Sequence, residues 1–227
     1  MPRPRRRVER AHCASSTSLL VKVGANDGIT GDPFSSLLQG RTGWRALFIE
    51  PVPYCTERLR TNFPDRERFS IEEVAIGPSS GSVPFFYVDP KAHDNIPELP
   101  VWFDQLGSFD RKHILKHFAG ILDPYIICRD IETQPLSHVL EAHGIENPDL
   151  LHIDTEGYDF EVLKTLDIAR HTPPLLFVEH KHLNGTQKQE MHEFLQNSGY
   201  AVHECGGDSI AINRKAIRAL RRTAKYF

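Results

Sequence analysis

The stretch Leu19–Gly28, LLVKVGANDG, is the part of the sequence that decides the fold. An apolar run containing β-branched residues stops in a polar loop bounded by Gly24 and Gly28. A second apolar run, Arg45–Ile49, follows and ends at an acid, Glu50. A Rossmann-like sheet that binds a nucleoside typically has a strand, then a turn that contains glycine, then a helix. The strand that follows this helix ends in an acid. In such a sheet the carboxylate accepts the ribose hydroxyls.

The loop after the first strand favours a cationic ligand over a diphosphate. It lacks the Gly-x-Gly-x-x-Gly spacing of dinucleotide sites, and Asn26 and Asp27 place polar side chains where a pyrophosphate needs space. An acid there repels pyrophosphate but suits an ammonium and a sulfonium. We therefore predict S-adenosylmethionine as the cofactor, with Glu50 at its ribose. Two alternatives keep the fold: an NAD-dependent oxidoreductase, and a catalytically inactive cofactor-binding scaffold.

Composition and charge restrict the class of protein. The chain has 227 residues, 40% of them hydrophobic and 25% charged, with a net charge of −3. These values predict one globular domain at 19–227 after a basic tail at 1–18 that we expect to be disordered. Basic residues are concentrated in the first ten residues and in 214–225, so the body between them is acidic. An acidic body suits a nucleic-acid groove poorly, and no apolar stretch reaches the ~18 residues of a membrane span. We expect a cytoplasmic protein that binds neither nucleic acid nor a membrane.

Apolar runs alternate with helix-like segments along the chain, which predicts βαβ units and a mainly parallel sheet. The predicted strands lie near 19–24, 45–50, 70–76, 149–154, 174–180, 199–204 and 208–213. The predicted helices lie near 33–40, 53–62, 135–143, 158–166, 186–197 and 214–222.

An extra segment interrupts this alternation. Residues 81–88 are predicted as a strand paired with 70–76 through a turn, and 125–132 as a further strand. Between them, 89–124 is rich in histidine, proline and aromatic residues. Long insertions at the carboxyl edge of a sheet are usually functional, so we expect a lid or a wall of the substrate site.

Asp154 and Glu156 follow the predicted strand 149–154. Acids near a helix N-terminus also stabilise the helix dipole, which explains Asp159 better than it explains Asp154. Open α/β sheets bind ligands at the carboxyl ends of their strands, so we predict that Asp154 and Glu156 contact a ligand.

The next strand ends in a group of titratable side chains. Alternation along an extended backbone predicts Glu179 and Lys181 on one face, with His180 and His182 on the other. An imidazole is a suitable general base near neutral pH. A metal site remains an alternative, because Asp154, Glu179 and His180 at neighbouring strand ends would suit Mg²⁺ or Mn²⁺.

The insertion contributes candidate substrate contacts. His113 and His117 lie four residues apart and would share one face of a helix. We expect them to form a polar surface over the site rather than a metal-binding pair. Ser108 and Phe109, just before them, are predicted to contact the substrate. The aromatic residues of 85–125 could stack on a sugar ring or form the core of the insertion.

Several segments taken together resemble the FkbM family of methyltransferases. The segments that carry the resemblance are Val23–Gly28, Phe48–Pro51, Ala75–Gly77, Asp154–Gly157 and Val178–His180. The resemblance covers roughly 19–204. It implies a class I S-adenosylmethionine-dependent fold, with a seven-stranded, mainly parallel sheet whose last strand is antiparallel. It also implies O-methylation of a small-molecule hydroxyl, commonly on a sugar or a natural product.

The resemblance assigns roles to individual positions. The residues implied to surround the cofactor are Gly24, Asn26 and Asp27 at the methionine end, Glu50 and Pro51 at the ribose, Ala75 and Ile76 near the adenine, and Asp154 and Glu156 beside the transferred methyl group. Lys22 stands where many class I enzymes carry an acid, so contact with the cofactor's ammonium falls to Asp27 or Asp154. The chain begins almost at the first strand, so the helices that often cap the cofactor are missing or come from a partner subunit. This leaves a homo-oligomer open.

The expected reaction is in-line displacement at the sulfonium methyl by a substrate hydroxyl. His180 is the first candidate for the general base, with His182 and Asp154 as further candidates. The residues predicted to contact the substrate are Ser108, Phe109, His113 and Glu179.

Overall fold

The computed structural model describes residues 17–217, and within that range no helix is long and apolar enough to cross a membrane. The strands are β1 (Ser18–Val23), β2 (Trp44–Ile49), β3 (Phe69–Glu72), β4 (Ala75–Ile76), β5 (Gly81–Val88), β6 (Ile126–Gln134), β7 (Leu150–Ile153), β8 (Leu175–Glu179), β9 (Tyr200–Cys205) and β10 (Asp208–Asn213). The helices are α1 (Ser35–Gly40), α2 (Pro53–Asn62), α3 (Ala92–Asn95), α4 (Arg111–Leu115), α5 (Leu136–Ala142), α6 (Asp159–Lys164) and α7 (Gly185–Asn197). The predicted helix 214–222 begins at residue 214, and its part beyond 217 lies outside the described residues, as does most of the predicted tail 1–18.

Seven strands form the main sheet in the order β3-β2-β1-β7-β8-β10-β9. The strands β3, β2, β1, β7 and β8 are parallel to one another, whereas β10 is antiparallel to both of its neighbours. A two-residue turn at Gly206–Gly207 joins β9 to β10, and such a short connection can only join antiparallel strands. The predicted class I architecture, with its last strand antiparallel, is confirmed.

The strands at the centre of the sheet are apolar on both faces because helices cover both faces. Val21 and Val23 of β1 pack into a core that includes residues of α5, α6 and α7. Leu20 packs into a second core with residues of α1 and α2. The ligand-binding edge of the sheet therefore rests on strands that are fixed from both sides.

The predicted strand 70–76 is in fact two strands. β3 belongs to the main sheet, whereas β4 belongs to a second sheet with the order β4-β6-β5. The predicted pairing of 81–88 with 70–76 is wrong, because β6 lies between them and pairs with both. Thr133 of β6 is opposite Ala75 on one side and Gly81 on the other. The predicted strand 125–132 is present as β6.

The insertion has a hydrophobic core of its own. Its buried members are Val88, Ala92, Leu99, Phe103, Leu106, Ile114 and Leu122. Trp102 stacks on Phe118 with ring centroids 5.1 Å apart. Several of its aromatic residues therefore stabilise the insertion itself. Phe109 is the aromatic residue of 89–124 that lines the cavity described below.

Candidate functional site

A cavity that is open to solvent lies at the carboxyl ends of β1, β2 and β7. The main sheet, the second sheet and the insertion all contribute to its wall. The lining residues are 22–26, 30–32, 49–51, 74–76, Phe85, Gln105, 107–109, 154–156, Tyr158 and Val162. The cavity therefore contains Gly24, Asn26, Glu50, Pro51, Ala75, Ile76, Ser108, Phe109, Asp154 and Glu156, all predicted from the sequence.

Gly24 occupies a position that no other residue fits. Its φ is +73°, and a Cβ there would lie 1.8 Å from the carbonyl oxygen of Asp154. The loop after β1 is thus in direct backbone contact with the end of β7. This close approach places the Gly24–Asn26 turn beside the acids that follow β7.

Glu50 is held rigidly at the end of β2 and is 5% exposed. The Asn26 backbone N–H donates to its Oε2 at 2.8 Å, and the Val52 backbone N–H donates to its Oε1 at 2.9 Å. Burial raises the pKa of Glu50 to about 7, against the lowering effect of these two hydrogen bonds. A carboxylate oxygen can accept more than one hydrogen bond, so both oxygens retain capacity for ligand hydroxyls.

Asp27 is not among the residues that line the cavity. Its carboxylate accepts hydrogen bonds from the backbone N–H groups of Ile29 and Thr30 at 2.8 and 2.7 Å, and from the Thr30 hydroxyl at 2.7 Å. The side chain therefore closes its own turn. The structure does not support the predicted contact of Asp27 with the methionine end of a cofactor.

Lys22, the departure from the family pattern, lines the cavity and is neutralised by an acid from another part of the chain. Its Nζ lies 2.5 Å from Asp32 Oδ2, and the two side chains are 4% and 2% exposed. Asp32 was not predicted from the sequence. A lysine near the end of a buried strand requires a partner of opposite charge, so Lys22 itself was the signal in the sequence for a nearby acid.

Two further acids lie at the ends of β7 and β8: Asp154 lines the cavity, whereas Glu179 is not among its lining residues. Burial raises the pKa of Asp154 to about 6, with Lys22 acting in the opposite direction. Burial and then the charges of Asp154 and Asp159 raise the pKa of Glu179 to about 9. Near neutral pH Asp154 is therefore largely ionised and adds negative charge to the cavity, whereas Glu179 is protonated.

His182 joins this edge from the loop after β8. Its Nε2 lies 3.0 Å from Glu156 Oε2 and 4.0 Å from Glu179 Oε1. The predicted alternation of residues 179–182 is wrong, because β8 ends at Glu179 and the chain then turns, with the Leu183 N–H donating to the carbonyl of His180. This turn brings His182 to the same side as Glu179.

His180, the first candidate base, is buried away from the cavity. Its Nδ1 lies 2.9 Å from Ser209 Oγ, which also contacts His192 Nε2 at 2.7 Å. His180 is 8% exposed and does not line the cavity. The structure therefore does not support its role as the base, nor the metal ligand set of Asp154, Glu179 and His180.

The insertion brings an aromatic wall and two imidazoles to the site. Phe109 packs against Phe85 and Tyr158, with ring centroids 5.1 and 5.0 Å apart. The rings of His113 and His117 lie 5.2 Å from each other. Their distances to the ring of His182 are 5.9 and 6.4 Å. Phe85 belongs to the aromatic residues of 85–125 for which the sequence left a role at the substrate open. Sequence patterns gave no signal for Tyr158, since only the tertiary fold brings it to Phe109.

We expect the thermal midpoint of the protein to fall between pH 7 and pH 9. Glu50 and Asp159 have folded-state pKa values of about 7, and Glu179 of about 9. These lie above the unfolded values of about 4, so the folded state binds more protons and loses stability as pH rises. Histidines contribute little in this window, since they are largely neutral in the unfolded chain above their pKa of about 6.5.

Thermal denaturation at pH 7, 8 and 9 measures this fall. Glu179→Gln is the matched variant. Its thermal midpoint should decrease less above pH 8, because it lacks the carboxyl group with the highest of these pKa values. A midpoint that stays constant or rises from pH 7 to 9 in the unmodified protein would contradict the expected protonation of these acids.

Comparisons with known proteins identify similar chains. A family model described as the Methyltransferase FkbM domain matches residues 22–202. Methyltransferase sdnD of Sordaria araneosa is 26% identical over 169 residues, which cover 67% of this chain and 61% of sdnD. The 2-O-methyltransferase NoeI of Sinorhizobium fredii is 27% identical over 147 residues, which cover 64% of this chain and 56% of NoeI.

Among solved structures, methyltransferase FkbM from Methylobacillus flagellatus KT has a TM-score of 0.53 and 15% sequence identity. The match covers 87% of this chain and 44% of that chain, and it shows a shared fold. The chain spans less than two thirds of the length of the relatives that it matches.

Proposed function

Because the chain belongs to the FkbM methyltransferase family, we propose that it transfers a methyl group from S-adenosylmethionine to a hydroxyl of a small molecule. The relative NoeI is a 2-O-methyltransferase, which supports oxygen as the methylated atom. The observation that carries the proposal is the position of Glu50. This acid is buried and fixed by two backbone N–H groups at the edge of the cavity, beside the Gly24–Asn26 turn.

The cavity fits the cofactor in shape and in charge. Gly24 holds the turn against the carbonyl of Asp154 at the cavity wall, and Glu50 provides carboxylate oxygens for two ribose hydroxyls. Ala75 and Ile76 offer an apolar surface for the adenine. Asp154 and Glu156 supply negative charge for the sulfonium end, in place of the Asp27 carboxylate.

When bound, S-adenosylmethionine would supply a methyl group that its sulfonium activates toward an oxygen nucleophile, and the Gly24–Asn26 turn, Glu50 and Asp154 would hold it. The protein has to orient the acceptor and remove its hydroxyl proton. Asp154 is our candidate for the base. It lines the cavity, and burial raises its pKa to about 6, so that it is ionised yet basic near neutral pH.

The acceptor site lies between the insertion and the loop after β7. Phe109 and Tyr158 present aromatic surface there, and Ser108 lines the same region. An aromatic wall next to polar groups suits a sugar ring or a polyhydroxylated natural product. His113 and Glu179 are proposed to border this site, next to His182.

Ligand-induced thermal stabilisation separates this proposal from its alternatives. S-adenosylhomocysteine at about 100 times its Kd stabilises a protein by about 2.7 kcal/mol. In a chain of this size that corresponds to a rise of roughly 5–10 °C in the midpoint. NAD⁺ should produce no comparable rise, because the loop after β1 places Asn26 where a pyrophosphate needs space. A rise with NAD⁺ alone favours the oxidoreductase, and a rise with neither ligand favours an inactive scaffold.

A further inference from the structure

Three side chains beside the cavity form a cluster, and the proposed methyl transfer, which uses Glu156 near the sulfonium, does not explain why the three lie together. The potential ligand atoms of Glu156, Glu179 and His182 all lie within 4.8 Å of one another. The three side chains are only 19%, 12% and 20% exposed, respectively. They come from the loop after β7, the end of β8 and the loop after β8, so the two strand ends fix their separation.

Polar atoms in this cluster lack hydrogen-bond partners among the described residues. Glu179 Oε2 and His182 Nε2 are both buried and make no hydrogen bond. His182 Nε2 nevertheless contacts Glu156 Oε2 at 3.0 Å, so Glu179 Oε2 is the clearer case. Buried polar atoms without partners are costly, and most are explained by a missing water or ion.

A third unpartnered atom lies on the other side of the cluster. His113 Nε2, from α4 of the insertion, is buried without a hydrogen-bond partner among the described residues. Its ring centroid is 5.9 Å from that of His182.

From these contacts we infer that Glu156, Glu179 and His182 form a binding site for a divalent cation at the acceptor end of the cavity. Two carboxylates and an imidazole suit Mn²⁺ better than Mg²⁺, because the imidazole is a softer donor than Mg²⁺ prefers. The inferred site differs from the sequence-based set in two of its three members, since Glu156 and His182 replace Asp154 and His180.

The role of the cation rests on the proposed function. Glu156 lines the cavity, so a cation on its carboxylate can contact an acceptor hydroxyl placed beside Phe109. A bound divalent cation lowers the pKa of a coordinated hydroxyl. The proton then passes to Asp154, and His182 acts as a ligand rather than as the base.

Binding of Mn²⁺ to the chelator-treated protein, measured by calorimetry and by the loss of the free-Mn²⁺ electron paramagnetic resonance signal, tests the site without any turnover. We expect one Mn²⁺ per chain. Glu179→Gln and His182→Ala should each weaken Mn²⁺ binding by at least about tenfold, a loss that even outer-shell partners of metal ligands produce.

Glu204→Gln is the matched control. Glu204 Oε1 lies 3.8 Å from His192 Nδ1, and Glu204 Oε2 lies 4.0 Å from His180 Nε2. Glu204 is therefore an acid close to two imidazoles, and all three residues lie outside the cluster. This variant should bind Mn²⁺ as the unmodified protein does. Thermal midpoints of all variants identify any that fail to fold, and Glu156→Gln replaces such a variant.

The outcomes separate the cation site from the proposed function. Absence of Mn²⁺ binding in a protein that binds S-adenosylhomocysteine overturns the cation site and leaves the proposed function standing. Mn²⁺ binding that survives in folded Glu179→Gln and His182→Ala variants also overturns it. Cluster-dependent Mn²⁺ binding in a protein that does not bind S-adenosylhomocysteine supports the cation site and counts against the proposed function.

Discussion

Replacing Asp154 with asparagine is expected to lower kcat by about 10²–10⁴-fold, the usual contribution of a general base. Asparagine keeps the size of the side chain but cannot accept the proton of the acceptor hydroxyl. In the unmodified enzyme the rate should rise with pH through about 6, where burial places the pKa of Asp154. Release of S-adenosylhomocysteine, measured with an acceptor found in a screen of hydroxylated compounds, reports turnover.

His180→Gln is the informative comparison for this prediction. His180 contacts Ser209 and does not line the cavity, so this variant should keep turnover within about threefold, well short of the loss of a base. A loss of turnover in His180→Gln but not in Asp154→Asn would contradict Asp154 as the base. It would support His180, the base predicted from the sequence. Affinity for S-adenosylhomocysteine in both variants shows whether the cofactor site is intact.

Replacing Glu50 with alanine is expected to weaken S-adenosylhomocysteine binding by about a hundredfold. Two hydrogen bonds from ribose hydroxyls to a buried carboxylate contribute at least about 1.5 kcal/mol each, and about 1.4 kcal/mol corresponds to a factor of ten in affinity. The Asn26 and Val52 backbone N–H groups also lose their acceptor, which loosens the turn that faces the methionine end. Titration calorimetry measures the loss.

Glu57→Ala serves as the control for Glu50→Ala. Glu57 lies on α2, the helix that follows Glu50, and its side chain is 74% exposed. Its replacement should leave the affinity for S-adenosylhomocysteine unchanged. Equal affinity in the Glu50 and Glu57 variants would remove Glu50 from the cofactor site.

The sequence predicted the parts of the site that sit at the ends of buried strands. Gly24, Glu50 and Asp154 each follow an apolar run, and runs of that kind occur in the centre of a parallel sheet. Because parallel strands end at the same edge, the order of these runs was enough to bring the three residues together. The positions of these strand ends could be predicted without knowledge of the loops.

The errors arose where local hydrogen bonds or turns decide the direction of a side chain. The Asp27 carboxylate accepts three hydrogen bonds within its own turn. The sequence does not show whether such a carboxylate binds these local groups or a ligand. His180 and His182 were placed as if β8 continued, but the strand ends at Glu179. Asp32 reaches Lys22 from ten residues away, a contact that depends on the path of the loop.

A crystal structure of the chain with S-adenosylhomocysteine tests the central claim most directly. We predict the ribose hydroxyls within hydrogen-bonding distance of Glu50, the amino-acid end at the Gly24–Asn26 turn, and the sulfur on the side of Asp154. A ligand bound elsewhere, or a Glu50 carboxylate that makes no contact with the ribose, would contradict the assignment of this cavity as the cofactor site.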